Sequence, residues 1–479
     1  MEANSLIQKL KKQKLNEEQG IDGNRKSLSN LPEDVLLYIL SFLPMKDAIR
    51  TSVLSKSWEF IWTSIPILEF RKTLPASRTL HMDFVERVFC LRDDSDIKGF
   101  FLECDVQCDV SRVKSWITAA VRHNVQYLFI RLRDLRGQFS LPHCVFTCDT
   151  LKWLFLDMQC ILKVPPIKCF SNLTVLRIKN VTFSDDYTTQ QLFSGLPVLE
   201  VLYLMECIWG CLKVIRIFAP KLHSLTITEA DMRNQSDCND QSDCDDESDF
   251  DEGDFDGSCQ IRIFGASLKY FFYSGEFFHE YWLYDLSSLE RAKIVVTRSN
   301  VTRCYTRGRE VAYRMFKVLI GLANVKDLRL YRSADEVLTY APELLPTVPI
   351  FNNLRYLELE WGNLDSKALL KILQNSPYLE RLKFLEIDEV SEYEKDDIIL
   401  DPMPPCFLSY LKCIEVGNYD GFENELSAVK ILLKNAFALD EMVIIFKEYD
   451  AENLEKQENL YKQLVEFPKG SQNCKIVLK

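Results

Sequence analysis

The chain has 479 residues, more than one compact core of ordinary size accommodates, so several domains or a stacked repeat array is expected. Its apolar share of 47% supports folding along most of the length, and its net charge of −12 argues against a dedicated nucleic-acid or membrane-surface binder. No run of about 18 apolar residues occurs, which excludes a membrane-spanning helix.

The polar, lysine-bearing start has no apolar signal-peptide core, so reduced thiols and residence in the nucleus and/or cytoplasm are expected. The 16 cysteines lie between Cys90 and Cys474 without a C-x-x-C pair, which argues against a zinc site. Residues 1–26 read as a disordered tail.

Residues 27–72 read as a compact helical module. Asn30 or Ser29 can cap a first helix, with Pro32 in its first turn and Glu33 and Asp34 at the positive end of its dipole. Leu36, Ile39, Leu40 and Leu43 recur at helical spacing, and Pro44 ends the element. A second helix is predicted from Lys46 to Ser52 and a third from about Ser55, presenting Trp58, Ile61 and Trp62. So small a domain cannot bury all of this apolar surface by itself, and part of it must face a partner.

The string LPEDVLLYILSFLPMKDAIRTSVLSKSWEFIW closely resembles the F-box, in particular its plant form. That resemblance implies docking onto an SKP-type adaptor, and through it onto cullin, in an SCF ubiquitin ligase. The implied contacts are Leu31, Pro32, Leu36, Ile39, Leu40, Leu43, Pro44, Val53, Leu54 and Trp58. Ser57 and Glu59 depart from the basic residues usual in the family.

Residues 73–401 read as a solenoid. From position 125 onward an apolar residue, two variable positions, then apolar, variable, apolar returns as VQYLFI (125), LKWLFL (151), LTVLRI (173), LEVLYL (199), LHSLTI (222), LKYFFY (268), LERAKI (289), VKDLRL (325), LRYLEL (354), LERLKF (379) and LKCIEV (411). Most steps span 21 to 29 residues, the leucine-rich-repeat period, in which each short strand hides its apolar face only against its neighbours. Strand alternation turns the leucines inward and the intervening residues outward. The outward set includes Trp153, Phe155, Asp157, Arg177, Lys179, Tyr203, Tyr270, Phe272, Tyr331, Tyr356, Glu358 and Lys383. Its aromatics either stack across the ladder as ordinary strand residues or form a protein-binding surface. Candidate target contacts are Trp153, Phe155, Arg177, Tyr203, Tyr270, Phe272, Tyr331 and Tyr356.

Residues 232–258 form an acidic insertion between repeats, read as a disordered loop; its segment 237–256 carries 11 acidic side chains and no basic one. Its acids miss the register of an EF-hand, while Ser242 and Ser248 each precede an acid by three residues. A basic stretch from Arg291 to Arg332 is either a solvated face or a receiver of acidic groups.

Residues 402–479 read as an α/β cap: a strand ending at Gly417, a helix Glu423–Asn435, a strand 442–446, a helix 452–467 and a strand 474–478. The L-K-x-I-E-V strand, the acidic helix start at Glu423 to Glu425 and the L-L-K-N-A-x-x-L-x-x-M run resemble the FBD domain that closes many plant F-box proteins with leucine-rich repeats. The expected fold is therefore α/β: a three-helix F-box, an irregular leucine-rich-repeat solenoid and an FBD cap. The five histidines form no metalloprotease or hydrolase motif, and no phosphate-binding loop occurs. No cofactor, metal or catalytic residue is expected. The resemblance implies a non-catalytic ligase subunit whose repeats hold an unidentified protein target; a non-degradative scaffold or a small-ligand co-receptor on the same surface is the alternative. If the insertion competes with the target for the basic stretch, deleting residues 234–257 tightens target binding at low salt, as measured by titration; unchanged affinity rejects that competition.

Overall fold

The structure is a computed structural model that describes residues 31–56, 58–71, 78–135, 139–165, 170–183, 185–210, 212–229, 258–297, 305–332, 334–362, 364, 366–387, 402–447 and 454–479. Ser57, the N-terminal tail and the acidic insertion with Ser242 and Ser248 lie outside these residues. The chain forms two compact units divided between Thr182 and Phe183, a boundary inside the repeat run.

The first unit opens with the helix Glu33–Leu40, which follows Pro32 and carries Glu33 and Asp34 in its first turn. Pro44 precedes the helix Met45–Arg50 in the same way. The third α-helix expected from Ser55 is not formed. Instead, 3₁₀ turns occupy Thr51–Val53 and Ile61–Ser64. The hydroxyls of Thr51 and Ser52 bond back to the carbonyls of Ala48 and Ile49, local bonds that compete with helix continuation.

Five strands follow: β1 (Ile67–Phe70), β2 (Gly99–Gln107), β3 (Tyr127–Leu135), β4 (Trp153–Ile161) and β5 (Val175–Thr182). They pair in chain order and all in parallel. Parallel order demands a crossover between successive strands, supplied by the helices Arg78–Leu91 and Val110–Arg122 after β1 and β2. The ladder therefore begins two strands before position 125, because β1 and β2 lack the leucine spacing. Helices cover one face: Phe89 of the first crossover helix meets Phe100 of β2 edge to face at 5.4 Å.

The second unit continues the plan with β6 (Val201–Met205), β7 (Val214–Phe218), β8 (Ser224–Thr228), β9 (Gln260–Phe264), β10 (Tyr270–Gly275), β11 (Glu280–Tyr284), β12 (Arg291–Val296), β13 (Asp327–Arg332), β14 (Tyr356–Gly362), β15 (Arg381–Ile387), β16 (Cys413–Tyr419), β17 (Glu441–Phe446) and β18 (Lys475–Leu478). Its main sheet runs β6-β8-β10-β12-β13-β14-β15-β16-β17-β18, again parallel. The skipped strands form a second parallel sheet, ordered β11-β9-β7, so the connections here are strands rather than helices. The side chain of Gln190 closes the edge of β7 by exchanging hydrogen bonds with the backbone N–H and C=O of Arg216, both at 2.9 Å.

The expected cap elements occur as the helix Glu423–Asn435, β17, the helix Leu454–Glu466 and β18. They extend the same ladder, since Ile414 of β16 aligns with Leu382 and Met442, and Met442 with Ile476. Glu425 caps the helix Glu423–Asn435 by accepting the N–H groups of Asp420, Gly421 and Phe422.

Core residues recur at one strand offset: Leu128, Leu154, Leu202, Leu225, Leu328, Leu357 and Leu382 are buried. Leu357→Ala is expected to cost about 2–5 kcal/mol in urea unfolding, whereas truncating the exposed Val53 changes stability by less than about 0.5 kcal/mol.

Candidate protein-docking surfaces

The ten F-box contacts implied by the sequence divide by burial. Leu36, Leu40 and Trp58 lie inside, as do Met45, Ala48, Ile61, Trp62, Ile65 and Leu68 of the first unit. They are closed to direct contact in this structure because the helical module packs onto β1 as well as onto itself. Leu31 and Ile39 are half-buried. The exposed members are Pro32, Leu43, Pro44, Val53 and Leu54, the last two at 86% and 66% exposure. Phe42 and Phe60 add to this exposed apolar set, Phe60 at 68%. Neither stood out in sequence, since Phe42 lies off the spacing of Leu36, Ile39, Leu40 and Leu43 and Phe60 follows Glu59.

The helix-free face of the first unit is organised in rows by strand register. One row aligns Phe101, Phe129, Phe155 and Arg177. Phe129 and Phe155 stack at 4.4 Å between ring centres, and Trp153 stacks on Phe129 at 6.3 Å. Trp153 and Phe155 are consequently buried despite facing outward. Gly99 belongs to this arrangement: a Cβ there would sit 2.8 Å from the Phe101 ring. The next row alternates in charge as Glu103, Arg131, Asp157 and Lys179. Arg131 donates to Asp157 at 2.8 Å and lies over the Phe129 and Phe155 rings at 5.3 and 5.6 Å. Ion pairing and cation–π contact thus roof the aromatic row. A cleft of about 220 Å³ opens among Arg131, Arg133, Asp134, Asp157, Gln159, Lys179 and Asn180. It falls below the roughly 300–1,000 Å³ of pockets that enclose drug-sized ligands.

In the second unit, register aligns Tyr270, Arg291, Asp327 and Tyr356, and beside them Phe272, Lys293, Arg329, Glu358 and Lys383. Tyr270 is exposed; Tyr203, Phe272, Tyr331 and Tyr356 are half-buried. Glu358 is only 5% exposed and accepts hydrogen bonds from the hydroxyls of both Tyr331 and Tyr356. Its Oε2 also faces Arg329 at 3.4 Å. Burial, reinforced by the hydrogen bond to this carboxylate, pushes the Tyr331 phenol up to about 12 and raises that of Tyr356 further. Asp327 is engaged by Arg291 at 2.7 Å and by Arg329 at 2.9 and 3.0 Å.

The basic stretch is therefore not a uniform solvated face. Arg307 and Arg314, on the helix Tyr305–Gly321, are buried; Arg314 donates to the carbonyl of Phe277 at 2.8 Å and pairs with Glu310. Arg309 pairs with Glu343 and Lys317 with Glu280. Arg298 and Arg303 lie outside the described residues.

Burial pushes the thiols of Cys104, Cys160, Cys259 and Cys406 up to about 12, which suppresses the thiolate that a nucleophile requires. Among the described residues no three metal-ligating side chains converge, and no helix is long and apolar enough to cross a membrane.

Comparison with known families matches the F-box domain at residues 28–70, the repeats described as "FBD-associated F-box protein At5g56370, LRR repeats" at 113–241 and the FBD at 401–444. The chain thus carries an F-box, leucine-rich repeats and an FBD, the domain set of the plant F-box/FBD/LRR-repeat proteins to which it is similar. The F-box/FBD/LRR-repeat protein At5g56420 of Arabidopsis thaliana is 27% identical over 469 residues, covering 95% of this chain and 99% of the relative. The F-box/FBD/LRR-repeat protein At1g78750 of the same plant is 25% identical, covering 94% and 96%. The F-box accordingly occupies the apolar module of the first unit. The FBD match coincides with β16, the helix Glu423–Asn435 and the start of β17.

The Tyr331, Tyr356 and Glu358 cluster makes a pH prediction. Phenols with raised folded pKa values stabilise the fold fully below their unfolded value of about 10 and lose that contribution as pH climbs toward the folded value. Urea-monitored stability should therefore fall between pH about 10 and 12, and Tyr331→Phe with Tyr356→Phe should flatten the fall.

Proposed function

We propose that this chain is the substrate-recognition adaptor of an SCF-type cullin ubiquitin ligase. The F-box docks onto an SKP-type adaptor and through it onto cullin, and the helix-free faces of the repeat strands hold a protein target for ubiquitination and degradation. The observation that carries this reading is the exposed apolar set Pro32, Phe42, Leu43, Pro44, Val53, Leu54 and Phe60 on a segment matched as an F-box. Several large side chains left in water on one small module are unfavourable by the hydrophobic effect, which favours a partner pocket. Leu36, Leu40 and Trp58 support that face from below by fixing the helices.

The ubiquitin-transfer chemistry is assigned to other subunits of the ligase, and the chain supplies recognition alone. Residence in the nucleus and/or cytoplasm is part of the same proposal.

Docking is tested by co-purifying the full chain with an SKP-type adaptor and cullin. Val53→Asp and Leu54→Asp are each expected to weaken adaptor binding by at least about 2 kcal/mol while leaving the unfolding midpoint unchanged. Retention of wild-type adaptor affinity in the double variant rejects this docking face. Leu40→Ala with Trp58→Ala is expected to lower stability and adaptor affinity together, because both side chains are interior.

A further inference from the structure

Lys293 stands apart in the outward rows of the second unit. The carboxylates nearest in register are already occupied: Asp327 by Arg291 and Arg329, and Glu358 by Tyr331, Tyr356 and Arg329. Among the described residues Lys293 makes no ion pair and no hydrogen bond. Its ammonium lies 4.1 Å from the centre of the Tyr331 ring and 5.9 Å from that of Phe272. Tyr331 is held in place through its hydroxyl by the buried Glu358, so a fixed aromatic platform positions the cation. Glu360, the other carboxylate on β14, accepts the backbone N–H of Arg332, so none of the acids on these strands pairs with Lys293.

Resting on the adaptor reading, we propose that Lys293 is the specificity-determining contact of the target-binding face and takes the side-chain carboxylate of an aspartate or glutamate in the target. An ammonium held over aromatic rings without an ion pair among the described residues selects a carboxylate. A phosphate dianion is best met by free guanidinium forks, and both neighbouring arginines have their Nε donors committed to Asp327. The exposed Tyr270, one row away on β10, offers an aromatic shelf to an apolar residue beside that acid. Aromatic contact also lowers the hydration that the ammonium gives up on pairing, because the Tyr331 and Phe272 rings already replace part of its water.

The test uses the purified full chain on arrays of peptides randomised except for a central glutamate, glutamine or phosphoserine. The wild-type chain is expected to retain the glutamate set about fivefold over the glutamine set at low salt, the size of one partly desolvated charge pair. Lys293→Gln is expected to bring that ratio to about one, with binding to the glutamine set unchanged, and Lys293→Arg to preserve most of it. A ratio that survives Lys293→Gln overturns the inference, as does a wild-type chain that does not prefer glutamate, or a phosphoserine set that outscores the glutamate set. Adaptor co-purification of the same preparations separates the two readings. A chain that binds adaptor but shows a flat ratio defeats this inference alone, and one that prefers glutamate without binding adaptor defeats the ligase reading alone.

Discussion

The in-register parallel ladder is the constraint on which both units depend. A strand of four to nine residues cannot bury its own apolar face, so each leucine at the inward offset is covered by the equivalent residue of the next strand and by the connecting element behind it. Because every rung is parallel and unshifted over most of its length, residues at one offset of successive repeats become neighbours in a row. Register therefore decides surface chemistry as well as core packing. Phe129 meets Phe155, and Lys293 meets Arg329, only because each pair shares an offset.

The rows show two ways of presenting large side chains on a face free of helices. In the first unit, aromatic stacking and an overlying charge-alternating row withdraw Trp153 and Phe155 from water, giving a rigid and largely self-satisfied surface. In the second unit the phenols anchor instead to a carboxylate. A buried Glu358 without partners would be costly, and two hydroxyls with a guanidinium offset that cost while fixing both rings. What each network leaves over is as informative as what it holds: Lys293 is the cation that these acceptors do not reach.

The helical module follows the same logic of residues left over. Its buried leucines and Trp58 are enough to order two helices against β1, and an apolar set including Phe42, Val53, Leu54 and Phe60 remains outside among charged neighbours. The FBD, by contrast, presents no separate fold: its strands take the next places in the sheet and its helices the places of repeat helices.

The sequence by itself determined which local elements form. Helix starts at Pro32 and Pro44, the strand at each L-x-x-L-x-L, and the cap helix from Glu423 to Asn435 are set by spacing, proline and dipole chemistry that act within a few residues. The offset of Lys293 in LERAKI was equally legible, since it matches Lys383 in LERLKF. Tertiary structure alone decided the rest. β1 and β2 join the ladder without its leucine signature because pairing of β1 with β2 and of β2 with β3 supplies what their sequence omits, and β7, β9 and β11 leave the main sheet for one of their own. Whether an outward residue ends exposed or covered depends on partners a full repeat or more away in sequence. That is why Glu358 and Trp153 are buried, Val53 is bare, and Lys293 is without a counter-charge among the described residues.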